Sequence, residues 1–187
     1  TPPYERSELI AQLGAGAAPR YLFFWGHTSK DGRVGNACFS QWFPMPFLVE
    51  GQSYATAEHF MMAEKARLFG DTEMLEQILV ADSPGAAKAL GRKVRGFEDK
   101  AWKEARMAIV VRGNIAKFSQ HPALQAQLLK TGEAVLVEAA PRDQNWGIGL
   151  GAKNPKAANP AQWRGLNLLG FALMEVRDAL RDAAQAG

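Results

Sequence analysis

The sequence has little cysteine and little histidine: one Cys and three His among 187 residues. A single cysteine, Cys38, cannot form an internal disulfide or a cysteine-based zinc site. The histidines at 27, 59 and 121 lack metal-ligand spacing, so no metal is expected. No apolar run approaches the roughly 18 residues of a membrane-spanning helix, and the charged start TPPYERSELI differs from a secretory signal. These absences predict a soluble, cytoplasmic protein that needs no metal or other cofactor.

The positive charge of the sequence is concentrated in one segment. The whole chain carries 22 Lys plus Arg and 19 Asp plus Glu, a formal net charge of +3. Residues 88–117 hold nine basic and three acidic side chains, which leaves a net charge of −3 for the rest. A basic segment in an otherwise near-neutral chain indicates an anionic partner, with phosphate as the first candidate. A solvated helix face is the alternative explanation.

Apolar periodicity predicts a predominantly helical α+β fold with a few short strands, and the length suits a single domain. We expect an N-terminal helix and linker at 1–20, followed by one domain at 21–187. The predicted strands are 21–25, 47–49 and 134–139. The predicted helices are 55–70, 71–81, 84–91, 99–118, 121–129 and 164–184, the last with a buried stripe formed by Leu166, Leu169, Leu173, Val176 and Leu180.

Two stretches are too long for ordinary connections in a compact domain. They are 26–46 and 141–160, and both are rich in glycine and proline. Loops of about 20 residues are uncommon unless they are functional. We therefore expect both to contribute to a site, and we leave open whether 26–46 is a lid.

Glu58 and Lys65 are the first candidates for chemistry. They are seven residues apart in a predicted helix, which places them about 20° apart on one face. Met61 and Met62 lie between them. If this face is partly buried, both charged groups need partners or altered pKa values, as for a general acid or an amine nucleophile. Ordinary surface charges beside a core stripe are the alternative.

The second candidate is the segment RDQNWGIGLGAKNP around Trp146. Gly147 and Gly149 allow the backbone to approach a ligand closely, and a loop tryptophan offers a stacking face for a base or sugar. Asp143 precedes the tryptophan by three residues. The glycines do not have the GxGxxG spacing of a dinucleotide site, and no P-loop is present. Alternatively, Trp146 fills a gap in the core.

The start of the last predicted helix is a third candidate. Trp163 and Asn167 lie there, and a helix N-terminus offers free backbone N–H groups to a phosphate. Asn167 either donates to a ligand or caps its own helix. Trp102 lies one turn before Arg106 in the basic segment, and this pair either packs in the core or holds an anion against an aromatic wall.

Taken in order along the chain, these clusters resemble the NADAR family of YbiA-like N-glycosidases. The resemblance covers about residues 21–182. The matching residues are Gly51, Tyr54, Glu58-His59, Lys65, Ala87, Gly91-Arg92, Trp102, Arg106, Lys117-Phe118, Leu128-Leu129, Thr131-Gly132, Trp146-Gly147-Ile148-Gly149, Trp163, Gly165, Asn167, Leu169-Gly170, Met174 and Arg177.

The resemblance implies a compact, helix-rich fold and an enzyme that hydrolyses the N-glycosidic bond between a base and a phosphorylated ribose. Two substrate classes are implied: ADP-ribose on guanine in nucleic acid, and phosphoribosyl intermediates of riboflavin synthesis. The partner is thus a phosphoribosylated or ADP-ribosylated small molecule or base, with DNA or RNA as a possible carrier. A non-catalytic ADP-ribose or nucleotide-binding module is the alternative function, and a nucleic-acid binding protein is the third.

The resemblance also assigns roles. Glu58 resembles the catalytic carboxylate, Lys65 a lysine that attacks the anomeric carbon, and Asp143 the acid before the tryptophan, Trp146, that lines the site. The geometry with which a guanidinium pairs with phosphate makes Arg92 and Arg106 the expected phosphate partners. Gly147, Trp102, Trp163 and Asn167 complete the predicted substrate-binding set.

One segment departs from the family pattern. Members usually have a Leu-Ser-Asn-Phe-like stretch before the first site helix, where this chain has Phe39-Ser40-Gln41-Trp42-Phe43. Gln replaces Asn and an aromatic residue is added. The base pocket is therefore expected to differ.

Overall fold

The computed structural model describes residues 2–29, 31 and 33–187, and these form two compact units. The first unit comprises the described residues up to Ser40 together with Ala123–Gly187. The second unit is Gln41–Pro122. Part of the predicted 26–46 loop, residues 30 and 32, and residue 1 of the predicted N-terminal segment lie outside the described residues.

The elements confirm the predicted class, which is predominantly helical with short strands. In chain order they are α1 (Arg6–Gly14), β1 (Tyr21–Phe24), β2 (Phe47–Val49), β3 (Gln52–Tyr54), α2 (Ala57–Leu68), α3 (Thr72–Leu79), α4 (Pro84–Gly91), α5 (Asp99–Gln120), α6 (Pro122–Leu129), β4 (Val135–Glu138) and α7 (Leu168–Ala186). Short 3-10 helices at Asn36–Phe39 and Pro155–Ala158 lie in the two long predicted loops, and a third, Pro160–Gln162, begins at the last residue of the second loop.

In the first unit, β1 pairs in parallel with β4, and Tyr21 lies opposite Val135. Three successive residues of β4, from Val135 to Val137, are buried, so this strand does not alternate between core and solvent. Such continuous burial is typical of a parallel strand covered on both faces. Helix α7 packs against β4.

The predicted apolar stripe of α7 is correct except at its start. Leu169, Leu173, Val176 and Leu180 are buried. Leu166 precedes the helix and is 40 % exposed. The stripe therefore begins one turn later than its sequence spacing indicates.

In the second unit, α2 packs against α3, α4 and α5. Residues 57–63 of α2 are all buried, because neighbouring helices cover it on several sides. The Thr56 hydroxyl accepts a hydrogen bond from the His59 N–H at 3.2 Å and so caps the helix. Ser53, another hydroxyl residue shortly before the helix, lies in β3.

Strand β3 is an element that the sequence did not predict. It forms an antiparallel hairpin with β2, in which Phe47 lies opposite Tyr54. The connecting residues Glu50 and Gly51 both have positive φ, 51° and 81°. Positive φ at both central residues is what a two-residue type I′ turn requires.

Side chains also cap α3 and α4. The Asp71 carboxylate accepts from the Met74 N–H, and the Ser83 hydroxyl accepts from the Ala86 N–H. Pro84 occupies the first turn of α4, where its missing N–H costs nothing. None of the helices in the part of the chain that the structure describes has the length and apolar character needed to cross a bilayer.

Candidate active site

Helix α2 carries Glu58 in its first turn and Lys65 two turns later. Glu58 is only 4 % exposed. Lys65 is half-buried, which differs from an ordinary surface lysine. The two groups therefore fit the predicted partly buried face better than the alternative of solvated charges.

Two aromatic rings lie close to the Lys65 amine. Its Nζ lies 4.7 Å from the ring centroid of Phe97 and 5.6 Å from that of Trp102. Trp102 is in the first turn of α5 and is 9 % exposed. No hydrogen bond or ion pair to Lys65 Nζ occurs among the described residues. The amine is thus held mainly by apolar and ring contacts.

This environment lowers the pKa of Lys65. Burial is the main cause, because it penalises the ammonium form. The positive charge of Arg92 lowers the pKa further, and the negative charge of Glu58 acts in the opposite direction. A lysine with a lowered pKa has a larger neutral fraction near neutral pH, which is the nucleophilic form.

Two further cations of the predicted site belong to the same unit. Arg92 is the exposed residue at the C-terminal end of α4, and its charge acts on Lys65. Arg106 lies one turn after Trp102 on α5, half-buried. Burial lowers the pKa of Arg106, opposed by the charge of Asp99, yet a guanidinium stays protonated at any working pH.

Phe97 is a site residue that the sequence analysis missed. It lies in the segment between α4 and α5, directly after Gly96, which has a φ of +77°. Its ring meets the Phe69 ring edge-on, with centroids 5.4 Å apart. An aromatic residue directly after a glycine and just before a predicted helix was the signal available in the sequence.

In the first unit, the Trp146 segment is organised by Asp143. One carboxylate oxygen, Oδ1, accepts hydrogen bonds from the N–H groups of Asn145 at 2.9 Å and Trp146 at 2.8 Å. This Asx-type turn fixes the path of the backbone into the tryptophan. Trp146 itself is half-buried. Asp143 therefore shapes the loop, and its predicted catalytic role stays a prediction.

The main chain of 144–148 is bonded to the residues that lead into α7. The Ile148 carbonyl accepts from the N–H groups of Arg164 and Gly165 at 2.9 and 2.8 Å. A Cβ on Gly165 would lie 2.2 Å from the Gly147 carbonyl oxygen. Only glycine allows this approach of two backbones.

The predicted phosphate site at the N-terminus of α7 is wrong. The N–H groups of residues 166–169 donate to the carbonyl oxygens of residues 144–147, each at 3.1 Å. Because these donors are already used, they are not available to an anion. The helix also begins at Leu168, later than the predicted 164.

Asn167 neither caps α7 nor points into solvent. Its side chain makes no capping bond, its backbone is left-handed, and it has no exposed surface. Its Nδ2 donates to the Leu136 carbonyl and its Oδ1 accepts from the Glu138 N–H, both at 2.9 Å. The amide therefore joins the start of α7 to β4.

Trp163 is likewise packed inside the first unit. It is 3 % exposed, and its Nε1 donates to the Ala157 carbonyl at 2.7 Å. These contacts give Trp163 and Asn167 structural roles, and their predicted contacts with substrate remain predictions.

A carboxylate that the sequence analysis did not single out is Glu138. It ends β4, half-buried, and its carbonyl accepts from the Ile148 N–H at 2.9 Å. The carboxyl ends of parallel strands are frequent locations of site residues, which is the signal that was available.

The predicted residues thus fall into two groups. The second unit brings together Glu58, Lys65, Arg92, Trp102 and Arg106. The first unit brings together Asp143, Trp146, Gly147, Trp163 and Asn167. Among the described residues, no three His, Cys, Asp or Glu side chains are grouped so that they could hold a metal ion.

Known proteins are similar to this chain in sequence over most of its length. N-glycosidase R617 of Acanthamoeba polyphaga mimivirus is 42 % identical over 164 residues, covering 85 % of this chain and 95 % of the relative. N-glycosidase YbiA of Escherichia coli strain K12 is 34 % identical over 142 residues, covering 76 % of this chain and 80 % of the relative.

The fold agrees with these relatives. The NMR structure of E. coli YbiA superposes with a TM-score of 0.73 at 29 % sequence identity and covers 91 % of this chain and 90 % of that one. The shared name of the curated relatives assigns the chain to the hydrolases that act on N-glycosidic bonds. The family model described as "NADAR domain" matches residues 23–181. The chain therefore belongs to the NADAR family.

Proposed function

We propose that this enzyme hydrolyses the N-glycosidic bond between a base and a phosphorylated ribose, with Glu58 and Lys65 as its main catalytic residues. The observation that carries the proposal is the environment of Lys65. Its amine lies close to two aromatic rings without an ion-pair partner among the described residues, and burial lowers its pKa. A buried carboxylate lies two turns away on the same helix.

Glu58 and Lys65 have separate roles in the proposed reaction. Cleavage of the bond builds positive charge at the anomeric carbon, as in an oxocarbenium-like transition state. A carboxylate at Glu58 stabilises that charge, and its protonated form assists the departing base. Asp143 is the second candidate for acid–base work.

Lys65 offers a covalent route. The neutral amine attacks the anomeric carbon, a carbon–nitrogen bond forms to Lys65, and the bond to the base breaks as the base takes a proton. Ring opening gives a Schiff base, which water hydrolyses to release the sugar phosphate and restore the amine.

The remaining predicted residues are assigned to binding. Arg92 and Arg106 bind phosphate oxygens through their planar guanidinium groups. In the second unit, Trp102 is assigned to contact with the base or sugar. Trp146, Gly147, Trp163 and Asn167 are the binding residues proposed for the first unit. The substrate is ADP-ribose on guanine in nucleic acid or a phosphoribosyl intermediate of riboflavin synthesis.

The first experiment separates the two substrates and tests Glu58. The protein is incubated with guanine-ADP-ribosylated DNA and, separately, with phosphoribosylated pyrimidine intermediates, and released ADP-ribose or base is measured. Glu58→Gln should lower kcat about 10²- to 10⁴-fold on the accepted substrate. Glu104→Gln, the same change at an exposed residue, is the control and should leave kcat unchanged.

Release of product from neither substrate would contradict the proposed substrate class. Tight binding of both without turnover would instead identify a non-catalytic binding module.

The second experiment tests the covalent route. Borohydride added during turnover should trap a sugar on Lys65, located by mass spectrometry. Lys65→Arg keeps the charge but cannot form a Schiff base, so this variant should show no adduct. Turnover without any adduct on the wild-type protein would rule out the covalent route and leave direct hydrolysis assisted by Glu58.

A further inference from the structure

Phe97 is more exposed than Trp102, although it makes the closer of the two ring contacts with Lys65. It is 46 % exposed, whereas Trp102, the other ring near the amine, is 9 % exposed. Exposing a phenylalanine to water is unfavourable. A segment that does so while holding the ring near a lysine amine calls for a functional explanation.

The segment that carries Phe97 is firmly anchored. The buried Asp71 carboxylate accepts three hydrogen bonds from Arg95: from the backbone N–H at 2.8 Å, from Nε at 3.2 Å and from one terminal guanidinium nitrogen at 2.7 Å. The side chain of Val94 is buried beside this anchor. The Asp71 hydrogen bonds and the burial of Val94 therefore hold the backbone of Arg95, two residues before Phe97, in place.

The direction of the ring is set after this anchor. Gly96 adopts a φ of +77°, a conformation that side-chain-bearing residues rarely adopt. A Cβ at Gly96 would also lie 3.3 Å from the Phe69 carbonyl oxygen. The Phe69 ring then meets the Phe97 ring edge-on, with an interplanar angle of 64°. The turn at Gly96 and the contact with the Phe69 ring together direct the Phe97 ring towards Lys65.

We propose that Phe97 is a positioning residue, whose ring confines the Lys65 amine near Trp102 in the direction required for attack. The inference rests on the proposed role of Lys65. A lysine side chain has four rotatable bonds, and among the described residues no hydrogen bond or ion pair orients the Lys65 amine. The ring attracts the ammonium form through its π face and limits the volume in which either form can move.

The test compares two substitutions at one position. Phe97→Leu keeps an apolar side chain of similar bulk but removes the π face, and Phe97→Tyr keeps the ring. On the accepted substrate, Phe97→Leu should lower kcat about 10- to 100-fold while KM changes little, because the amine is misdirected and substrate binding is not. Phe97→Tyr should recover most of this loss.

A second measurement does not depend on turnover. The rate at which acetic anhydride labels Lys65 is followed against pH by mass spectrometry. In Phe97→Leu the apolar cover stays but the attraction for the ammonium is lost, so the midpoint of labelling should move to lower pH. In Phe97→Tyr it should stay where it is in the wild type.

Leu48→Ala is the matched control, because Leu48 lies in the same unit and is 54 % exposed. It should change neither kcat nor the labelling midpoint. An unchanged kcat and midpoint in Phe97→Leu, or equal losses in the Leu and Tyr variants, would overturn the inference about Phe97. Full turnover in Lys65→Arg would instead overturn the proposed role of Lys65, while the labelling data still report on the ring contact.

Discussion

The two groups of candidate residues are built by different means. In the second unit, side chains form the site: the Lys65 amine lies near the rings of Phe97 and Trp102. In the first unit, the main chain forms the loop, since residues 144–148 are held by hydrogen bonds between backbone groups. Both arrangements are ordered, but they depend on different properties of the sequence.

This difference shows where each region tolerates change. A region held through its backbone depends on residues that allow close approach, above all glycine. A region held through side chains depends on the chemistry of those side chains, and flexible neighbours can adjust to small changes. Substitutions that add a single methyl group therefore distinguish the two regions.

The largest expected effect is that of Gly165→Ala in the first unit. The new Cβ would lie 2.2 Å from the Gly147 carbonyl oxygen and 2.9 Å from the Gln144 Cα, both backbone atoms that cannot rotate away. We expect the free energy of unfolding to fall by more than about 3 kcal/mol. Urea unfolding followed by circular dichroism measures it.

Gly151→Ala is the control for this prediction. A Cβ there meets only the Pro141 Cγ at 3.8 Å, an ordinary contact. Its free energy of unfolding should stay within about 0.5 kcal/mol of the wild type. Equal stability of the two variants would contradict the view that the loop is held by backbone contact.

An intermediate effect is expected for Asp71→Asn in the second unit. The hydrogen bonds and charge of Arg95 hold the pKa of Asp71 well below its usual range. The folded state thus favours the charged carboxylate, so this stabilisation is complete above the unfolded-state pKa of about 3.9 and is lost as the pH falls. The variant should be less stable than the wild type at pH 7, and the difference should shrink below about pH 4.

Thermal unfolding measured at several pH values tests this prediction. Glu73→Gln is the matched control, because Glu73 pairs with the same Arg95 at 3.2 Å but is 71 % exposed. An exposed pair contributes little, so this variant should resemble the wild type. A pH-independent loss in Asp71→Asn would show that packing, and not charge, is responsible.

The smallest effect is expected for Gly91→Ala, also in the second unit. The new Cβ would lie 2.0 Å from the Met62 sulfur, which belongs to a flexible side chain. Met62 can rotate, and alanine gains helix propensity over glycine at the end of α4. The free energy of unfolding should change by about 1 kcal/mol or less. A loss as large as that of Gly165→Ala would remove the distinction between the regions.

Local signals made much of the fold predictable. The caps Thr56, Asp71 and Ser83 are short-range hydrogen bonds between a side chain and the next turn, so neighbouring residues determine them. The spacing of Glu58 and Lys65 on one helix is equally local. The spacing left open whether these two charged groups are buried, and the structure shows Glu58 buried and Lys65 half-buried.

The features that were missed depend on contacts between distant residues. The N-terminus of α7 is bonded by a loop some 20 residues earlier, and Asn167 bonds a strand 29 to 31 residues earlier. The placement of Phe97 depends on the bonds between Asp71 and Arg95, 24 residues apart. Strand β3 is as short as β2, but it reads Gln-Ser-Tyr with two exposed polar residues, so no apolar run marks it in the sequence.

The backbone anchoring of residues 144–148 has a consequence for divergence among relatives. Because carbonyl and N–H groups hold the loop, the path of its main chain does not depend on which side chains it carries. An exposed position such as Gln144 can then change its side chain while its carbonyl still accepts from the Leu166 N–H. Such a loop can acquire a new preference for what it touches through single substitutions, without first having to find a new conformation.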